Sequence, residues 1–200
     1  DAEKDIGKMY MNGDHPSSTL IRTITNWGEG KWESFAGAFY GAQNLTVPAA
    51  DEPDLSLATS MKEAFRSCAN LFIGTTLNDW DVSTITDMEG TFLNTTKFNG
   101  NIGSWNTSKV TNMIRMFESA NAFNQDIGNW NIASVTNIRS MFAGANSFNQ
   151  DIGNWDVSSV TSMAFVFQNV GAFNQNIGNW NTGAVIEMDS MFEGAASFNQ

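Results

Sequence analysis

Large apolar residues in the second half of the chain recur every 25 residues. Three aromatic columns keep this spacing: Phe98, Phe123, Phe148, Phe173 and Phe198; Trp80, Trp105, Trp130, Trp155 and Trp180; and Phe92, Phe117, Phe142, Phe167 and Phe192. The last column extends upstream to Phe65 and Phe39, at spacings of 27 and 26 residues. Fixed periods of this length indicate stacked supersecondary units in which each repeat contacts its neighbours. The pattern therefore predicts a solenoid.

Two apolar patterns alternate inside each repeat. The first has helical spacing with one apolar face, as in Val135, Ile138, Met141, Phe142 and Ala145. The second, at residues 148–152 and 155–157, is rich in Phe, Ile, Trp and Val, which favour short strands. Gly153 between these two segments indicates a turn. We predict an α/β solenoid of ~25-residue strand-turn-helix repeats whose strands pair in parallel.

The two ends of the chain depart from the period. Residues 1–31 do not follow it, and we expect them to form an N-terminal cap over the first repeat. Residues 32–200 are predicted to form the solenoid as a single continuous domain. Phe198–Gln200 opens a further repeat without its Ile and Trp, so the array is interpreted as truncated mid-repeat. Such an open edge predicts weak end-to-end self-association.

The repeat motif resembles a known family. Residues 148–163 read Phe-Asn-Gln-Asp-Ile-Gly-Asn-Trp-Asp-Val-Ser-Ser-Val-Thr-Ser-Met, and the pattern recurs in phase about six times. Over roughly residues 20–200 it resembles the BspA-like leucine-rich-repeat surface proteins of bacteria. The resemblance implies a right-handed, leucine-rich-repeat-like coil in a secreted or cell-surface protein. It further implies adhesion or recognition of a protein or glycan on another cell or matrix, and brings no catalytic residues.

Composition argues against several partner classes. The chain has 21 acidic and 10 basic residues, a net charge of −11, and no Lys or Arg after Arg139. Because phosphate backbones need clustered cations, we expect no nucleic-acid partner. No run of 18 apolar residues occurs, so membrane insertion is not expected. The single cysteine, Cys68, is interpreted as a small core residue, with a reactive thiol as the alternative.

The sequence contains no recognisable catalytic motif. Its single histidine is His15, and no Gly-x-Ser-x-Gly elbow, phosphate-binding loop or His-Glu-x-x-His motif occurs. The many carboxylates follow the repeat, and no pair of them stands apart as a general acid and base would. We therefore expect a protein that is not an enzyme and assign no catalytic or metal-binding residues.

Two polar or aromatic ladders follow the repeat. The asparagine ladder is interpreted as structural, with a ligand-binding polar strip as the alternative. It comprises Asn99, Asn124, Asn149, Asn174 and Asn199. The tryptophan column, Trp80 to Trp180, is interpreted as core because Ile or Leu lies three residues before each Trp. An exposed aromatic row that stacks on sugar rings is the alternative for this column.

Two further columns suggest minor alternatives. Asn101, Asp126, Asp151 and Asn176 carry oxygen atoms of the kind that calcium prefers, but only two of them are charged. We interpret these residues as turn formers and expect no cofactor, with calcium binding as the alternative. A threonine column offers a flat face of the kind that orders ice, although strand preference also explains it. It comprises Thr86, Thr111, Thr136 and Thr161.

Residues just after the methionine column differ between repeats. This column comprises Met61, Met88, Met113, Met163 and Met188, with Ile138 in its place in one repeat. The candidates for ligand binding are Phe165, Arg115, Arg139, Glu89 and Asp189. Core and turn positions are constrained by stacking, whereas solvent-facing positions are free to encode a partner. Phe165 is expected to be exposed and to anchor an interface. We predict an adhesion or recognition module, with a passive stalk or spacer as the alternative function.

Overall fold

The computed structural model describes residues 21–200, so most of the expected N-terminal cap, including His15, lies outside the described residues. Two strands occur, β1 (Thr46–Val47) and β2 (Phe72–Ile73), and they pair in parallel with Thr46 opposite Phe72. One 3-10 helix follows β2 at Thr75–Asp79. Every other described residue lies in turns, bends, single bridges or extended segments.

Successive repeats stack in parallel register. Single bridges join equivalent positions of neighbouring repeats: Ser60 to Asp87, Asp87 to Asn112, Asn112 to Asn137, Asn137 to Ser162, and Ser162 to Glu187. Nearer the N-terminus, Thr23 bridges Thr46 and Lys31 bridges Asp54 in the same parallel sense. The described part of the expected cap, residues 21–31, therefore stacks on the first repeat as each repeat stacks on the next.

A chain of consecutive turns takes the place of the predicted helix. Ser140 donates its backbone N–H to the carbonyl of Ala164 in the next repeat, at 2.9 Å. The following residue, Met141, donates instead to Ile138 three residues earlier, at 3.0 Å. An α-helix would send every such bond to the residue four positions back. Alternate N–H groups of this segment thus join the repeats, and the others close turns within one repeat.

The predicted α/β solenoid of leucine-rich-repeat-like, strand-turn-helix coils is therefore wrong. The described residues contain no α-helix, and residues 148–152 and 155–157 are not strands. Ser140 and Gly144 have positive φ angles of 54° and 70°, which no right-handed helix accepts. Consecutive turns place apolar residues three and four positions apart, as a helix does. Spacing alone could not separate the two structures.

The interior is built from the aromatic columns. Phe117 stacks on Phe142 of the next repeat with ring centroids 5.7 Å apart and planes within 4°. Within its own repeat Phe117 also stacks on Phe123 at 4.0 Å. All three rings are fully buried, and each such burial contributes about 1.5–3 kcal/mol. No helix among the described residues is long and apolar enough to cross a membrane.

Candidate recognition face

The turn segments of successive repeats lie side by side, joined by backbone hydrogen bonds. Most of their apolar side chains are buried, and their partly exposed side chains form one face, which we call the turn face. It comprises residues 34–41, 60–67, 87–94, 112–119, 137–144, 162–169 and 187–194. Each segment contains two residues in the left-handed backbone region. The first left-handed column comprises Gly37, Glu63, Gly90, Arg115, Ser140, Phe165 and Ser190, and the second comprises Gly41, Ser67, Asn94, Ser119, Gly144, Asn169 and Gly194.

The two left-handed columns differ in the residues they hold. The second contains only Gly, Asn and Ser, which are small or tolerate this conformation. The first contains Glu63, Arg115 and Phe165 at φ of 54°, 56° and 63°. A left-handed conformation costs a residue with a Cβ roughly 1–2 kcal/mol. The first column therefore holds large side chains where glycine would be more stable.

Phe165 and Arg139 form a contact pair in the fifth and sixth segments of the turn face. The Arg139 guanidinium lies over the Phe165 ring, 4.7 Å from its centroid. Arg139 Nη1 also lies 3.9 Å from Glu187 Oε2, which accepts a 2.8 Å hydrogen bond from Ser162 Oγ. Phe165 is half-buried, less exposed than the sequence suggested, because Arg139 covers it. One cluster thus spans three consecutive repeats.

The N-terminal half of the turn face carries charged pairs. Lys62 Nζ donates to Glu89 Oε2 at 3.0 Å, and this hydrogen bond raises the pKa of Lys62. Asn112 Nδ2 donates to the same Glu89 oxygen at 3.3 Å. Arg66 pairs with Glu63 at 2.6 Å and lies over the Tyr40 ring, 5.1 Å from its centroid. Glu89 is therefore held in a polar network that crosses three repeats.

Two further predicted site residues border the pair of Phe165 and Arg139. The Arg115 N–H donates to the Arg139 carbonyl, and the Phe165 N–H donates to the Asp189 carbonyl, both at 2.9 Å. Arg115 is exposed and pairs with Glu118 of its own repeat, its Nε 3.3 Å from Oε2. Asp189 is exposed in the last repeat. In the same repeat Glu193 Oε2 accepts a 2.7 Å hydrogen bond from Gln168 of the preceding repeat, and this bond lowers the pKa of Glu193. The structure thus joins Arg139 to Phe165 through their side chains and places Arg115 and Asp189 on the adjoining repeats. Glu89 lies in the separate network with Lys62 and Asn112.

Sequence reasoning missed several residues of this face. Lys62, Arg66, Tyr40 and Glu187 contact the predicted residues or extend their network. A signal for Lys62 was present, because it occupies the same repeat position as Glu89, Arg139 and Asp189. Glu187 was harder to find from the sequence, because it lies two repeats after Arg139 and at a different position of the repeat.

The tryptophan ladder lies in the core. In the regular repeats each indole N–H donates to a backbone carbonyl 28 residues earlier: Trp105 to Leu77, Trp130 to Ile102, Trp155 to Ile127 and Trp180 to Ile152, at 2.9–3.1 Å. Trp80 to Trp180 are at most 9% exposed. Trp105 stacks on Trp130, and each tryptophan of the regular repeats stacks on a phenylalanine, so these buried rings offer no open platform to a sugar ring.

The asparagine ladder links neighbouring repeats at their surface. The backbone N–H of Asn149 donates to Asn124 Oδ1 at 2.9 Å, and Gln150 Nε2 donates to the same oxygen at 2.9 Å. The backbone bond recurs at 2.9 Å in the pairs Asn124 to Asn99, Asn174 to Asn149 and Asn199 to Asn174. Asn124 and Asn149 are half-buried, and the other members are exposed.

The carboxylate and threonine columns make local hydrogen bonds. Asp126 Oδ1 accepts from the Gly128 N–H at 2.9 Å, and Asp151 Oδ1 accepts from Gly153 at 3.0 Å. Within residues 21–200 no three His, Cys, Asp or Glu residues are grouped closely enough to hold a metal ion. Threonine hydroxyls donate to carbonyls of the preceding repeat, as Thr161 does to Thr136 at 3.1 Å.

Cys68 is fully buried and donates from its thiol to the Phe39 carbonyl at 3.0 Å. Burial raises the pKa of this thiol to about 12. Because the thiolate is the nucleophilic form, a buried thiol that stays protonated is unreactive.

A family model matches most of the array. Its description is "Mycoplasma protein of unknown function, DUF285", and it matches residues 59–170 and 126–200. The chain belongs to this family. The match covers the repeats that form most of the turn face. Neither the curated proteins nor the solved structures include a significant match to this chain.

Proposed function

We propose that this chain is a non-enzymatic recognition module of a secreted or cell-surface protein and binds a protein partner through the turn face. The observation that carries the proposal is Phe165, a half-buried aromatic residue at a φ of 63° beneath the Arg139 guanidinium. The resemblance of the repeat to BspA-like surface proteins supports a role in adhesion.

Backbone strain supports a functional reason for Phe165. A bulky residue in the left-handed region is an outlier, and such outliers concentrate at functional sites. Gly37 and Gly90 occupy the same column in other repeats, so glycine suits this position. A sequence selected for stability alone would place glycine here. The ring is therefore retained for something that stability does not require.

The composition of the turn face fits a protein partner. Tyr and Arg are enriched among residues that dominate binding energy at protein interfaces. The face presents Tyr40 with Arg66, Arg115, and Phe165 with Arg139. A guanidinium over an aromatic ring contributes about 0.5–1 kcal/mol at an exposed site and more when a partner excludes water. Arg139 is thus already positioned for a contact that strengthens on binding.

The proposal is tested by binding to a panel of purified extracellular and cell-surface proteins, measured by surface plasmon resonance with the whole chain. For a partner found this way, Phe165→Gly should weaken binding by about tenfold or more, as removal of an interface anchor does. Glycine suits the left-handed backbone, so this variant should stay folded. Arg139→Gln should weaken the same binding and retain the fold.

Asn94→Gly is the matched control, because it makes the same backbone change at φ 60° in the second column and removes no aromatic ring. Its binding should equal that of the unchanged chain. If Phe165→Gly and Arg139→Gln bind normally, the turn face is not the interface. If no protein in the panel binds, the passive stalk becomes the better description.

A further inference from the structure

The outer faces of β1 and β2 carry a second surface of different chemistry. Residues alternate along each strand, so Leu45, Val47, Leu71 and Ile73 are buried while their neighbours face outward. The outward neighbours are Asn44, Thr46, Asn70 and Phe72. We call these four residues the Phe72 patch. Thr46 pairs directly with Phe72, which places their side chains next to each other across the strands.

Phe72 is the largest exposed aromatic side chain of the described residues, at 61% exposure. Its repeat position is held by asparagine in the following repeats. The Asn70 N–H donates to the Gln43 carbonyl and the Lys97 N–H donates to the Ala69 carbonyl, so Asn70 and Lys97 are equivalent positions of successive repeats. Phe72 and Asn99 each lie two residues later and are therefore equivalent as well. The asparagine ladder thus continues upstream as Phe72 and Thr46. A hydrophobic ring stands alone at one end of a polar strip.

The residues around Phe72 combine hydrogen-bond donors with acceptors. Asn70 Nδ2 donates to Asn44 Oδ1 at 2.8 Å, which uses only one of the four hydrogen-bonding sites on each amide. The Thr46 hydroxyl lies 3.2 Å from the Thr23 hydroxyl and donates to the Arg22 carbonyl at 3.1 Å. Along the ladder, the Nδ2 atoms of Asn124, Asn149 and Asn174 donate no hydrogen bond within the described residues.

This strip is uncharged in a strongly acidic chain. Its members Thr23, Thr46, Phe72 and the five ladder asparagines are all neutral, although the chain carries a net charge of −11. A strip built to attract ions would carry some of that charge. A neutral strip of amides and hydroxyls suits a neutral partner that is itself rich in hydroxyl groups. Beside it, Arg22, Gly41, Gln43, Asn44 and Ile21 line a shallow hollow of about 240 Å³.

We propose that the Phe72 patch binds a neutral saccharide chain. The C–H face of one sugar ring stacks on the Phe72 ring, which offers the flat apolar surface that such a face requires. The amides of Asn44 and Asn70 and the Thr46 hydroxyl bind the sugar hydroxyls, since each group can both donate and accept. Further sugar units lie along the asparagine ladder or in the adjacent hollow. This site is separate from the turn face.

The first experiment measures binding of soluble oligosaccharides of glucose, mannose and N-acetylglucosamine to the whole chain by calorimetry and saturation-transfer NMR. At least one of the three should bind with a Kd of about 1 mM or tighter. Phe72→Asn should weaken that binding about tenfold or more. This variant should keep the fold, because asparagine holds the equivalent position in the next repeat.

Three further variants define the result. Leu57→Thr changes another exposed apolar residue, at 54% exposure, to the residue found at Thr84 in the next repeat, and should bind normally. Phe72→Leu keeps an apolar side chain but removes the flat ring, so it should lose binding as Phe72→Asn does. Asn70→Ala should weaken binding about threefold or more through one lost hydrogen bond.

Three outcomes would overturn the proposal: no binding of any of the three oligosaccharides, unchanged binding by Phe72→Asn and Phe72→Leu, or equal loss in Leu57→Thr. None of them affects the turn face, whose test uses protein partners and Phe165. Failure of the saccharide site and failure of the proposed function are therefore distinguishable.

Discussion

Residues 21–80 and the regular repeats that follow solve the same packing problem differently. In the regular part, rings of neighbouring repeats stack nearly parallel, as Trp105 and Trp130 do at 6.4 Å and 2°. Near the N-terminus, Trp27 meets Trp80 at 5.2 Å and 90°, and Trp32 meets Phe35 at 4.8 Å and 72°. Both edge-on and offset parallel arrangements are favourable for aromatic pairs. Only the parallel one can be repeated without change along an array.

The difference extends to the indole N–H groups. Four tryptophans of the regular part donate to the preceding repeat, whereas Trp27 Nε1, Trp32 Nε1 and Trp80 Nε1 are buried without a partner among the described residues. The carbonyl that would serve Trp80, at the repeat position of Leu77 and Ile102, falls at Ala50 in the loop of residues 47–53. This loop, with two prolines, replaces the regular segment. Where the repeat is exact, each indole N–H meets a backbone carbonyl of the preceding repeat. The irregular repeat does not place a carbonyl there, so the indole N–H has no acceptor among the described residues.

The largest expected effect comes from the stacked columns. Phe142→Ala should lower the free energy of unfolding by about 3–5 kcal/mol, the usual cost of a large cavity. Phe142 stacks on Phe117, Phe148 and Phe167, so its loss interrupts contacts across three repeats. Chemical denaturation followed by circular dichroism measures the change. A loss below about 1 kcal/mol would mean that the array repacks around the gap.

Replacement of tryptophan by phenylalanine tests the contrast between the two regions directly. Trp130→Phe leaves the Ile102 carbonyl without its 3.1 Å donor, so it should cost about 1–3 kcal/mol in addition to the lost ring volume. Trp80→Phe removes a buried donor that has no hydrogen-bond partner within residues 21–200. Trp80→Phe should therefore lower the free energy of unfolding less than Trp130→Phe does, by about 1 kcal/mol or more. Equal unfolding midpoints for the two variants would contradict the contrast.

The asparagine ladder should contribute less than the core. Asn149→Ala removes the acceptor of two hydrogen bonds, from the Asn174 N–H at 2.9 Å and Gln175 Nε2 at 3.0 Å. Because the site is half-buried, we expect a loss of about 1 kcal/mol in the free energy of unfolding. Asn154→Ala, at an exposed position of the same repeat, is the control and should change little. An equal loss of stability in both variants would contradict a structural role for the asparagine ladder.

Glycine substitution in the first left-handed column should raise the free energy of unfolding, in contrast to the substitutions above. Arg115→Gly relieves a φ of 56° and should stabilise the chain by about 1 kcal/mol. The exposed pair of Arg115 with Glu118 contributes at most a few tenths of that. Thermal melting measures the shift, with Arg115→Ala as the matched variant that removes the pair and keeps the strain. A lower melting temperature for Arg115→Gly than for Arg115→Ala would show that the column is not strained.

The smallest effect concerns acid. Hydrogen bonds from Ser158 lower the pKa of Asp156, and hydrogen bonds from Ser83 lower the pKa of Asp81. A lowered folded-state pKa means stability that is fully present above the ordinary carboxyl pKa and lost as pH falls through the folded value. Asn106 and Asn131 make the same turn bond without titrating. The double variant Asp81→Asn, Asp156→Asn should flatten the acid limb of a melting-temperature profile, and an unchanged limb would count against these bonds.

The candidate site was predictable only in part. Variation between repeats identified Phe165, Arg139 and Glu89 as free to differ, because stacking constrains the positions around them. It did not indicate that Arg139 covers Phe165, since this contact joins different positions of neighbouring repeats. The Phe72 patch was not identified as a site, although the 27-residue spacing from Phe65 to Phe92 aligns Phe72 with Asn99. Only the structure shows that this ring is exposed and lies opposite Thr46.

The sequence by itself determined the period of the array, the identity of the stacked columns and the in-phase position of every late repeat. Those properties follow from the exact recurrence of the same residue types, which can be read directly from their spacing in the sequence. Only the tertiary structure decided how the backbone runs within a repeat. The N–H groups of Ser140 and Phe142 bond to the next repeat and not to their own. A helix and a chain of turns present the same apolar spacing, so the partner of each N–H had to be seen in space.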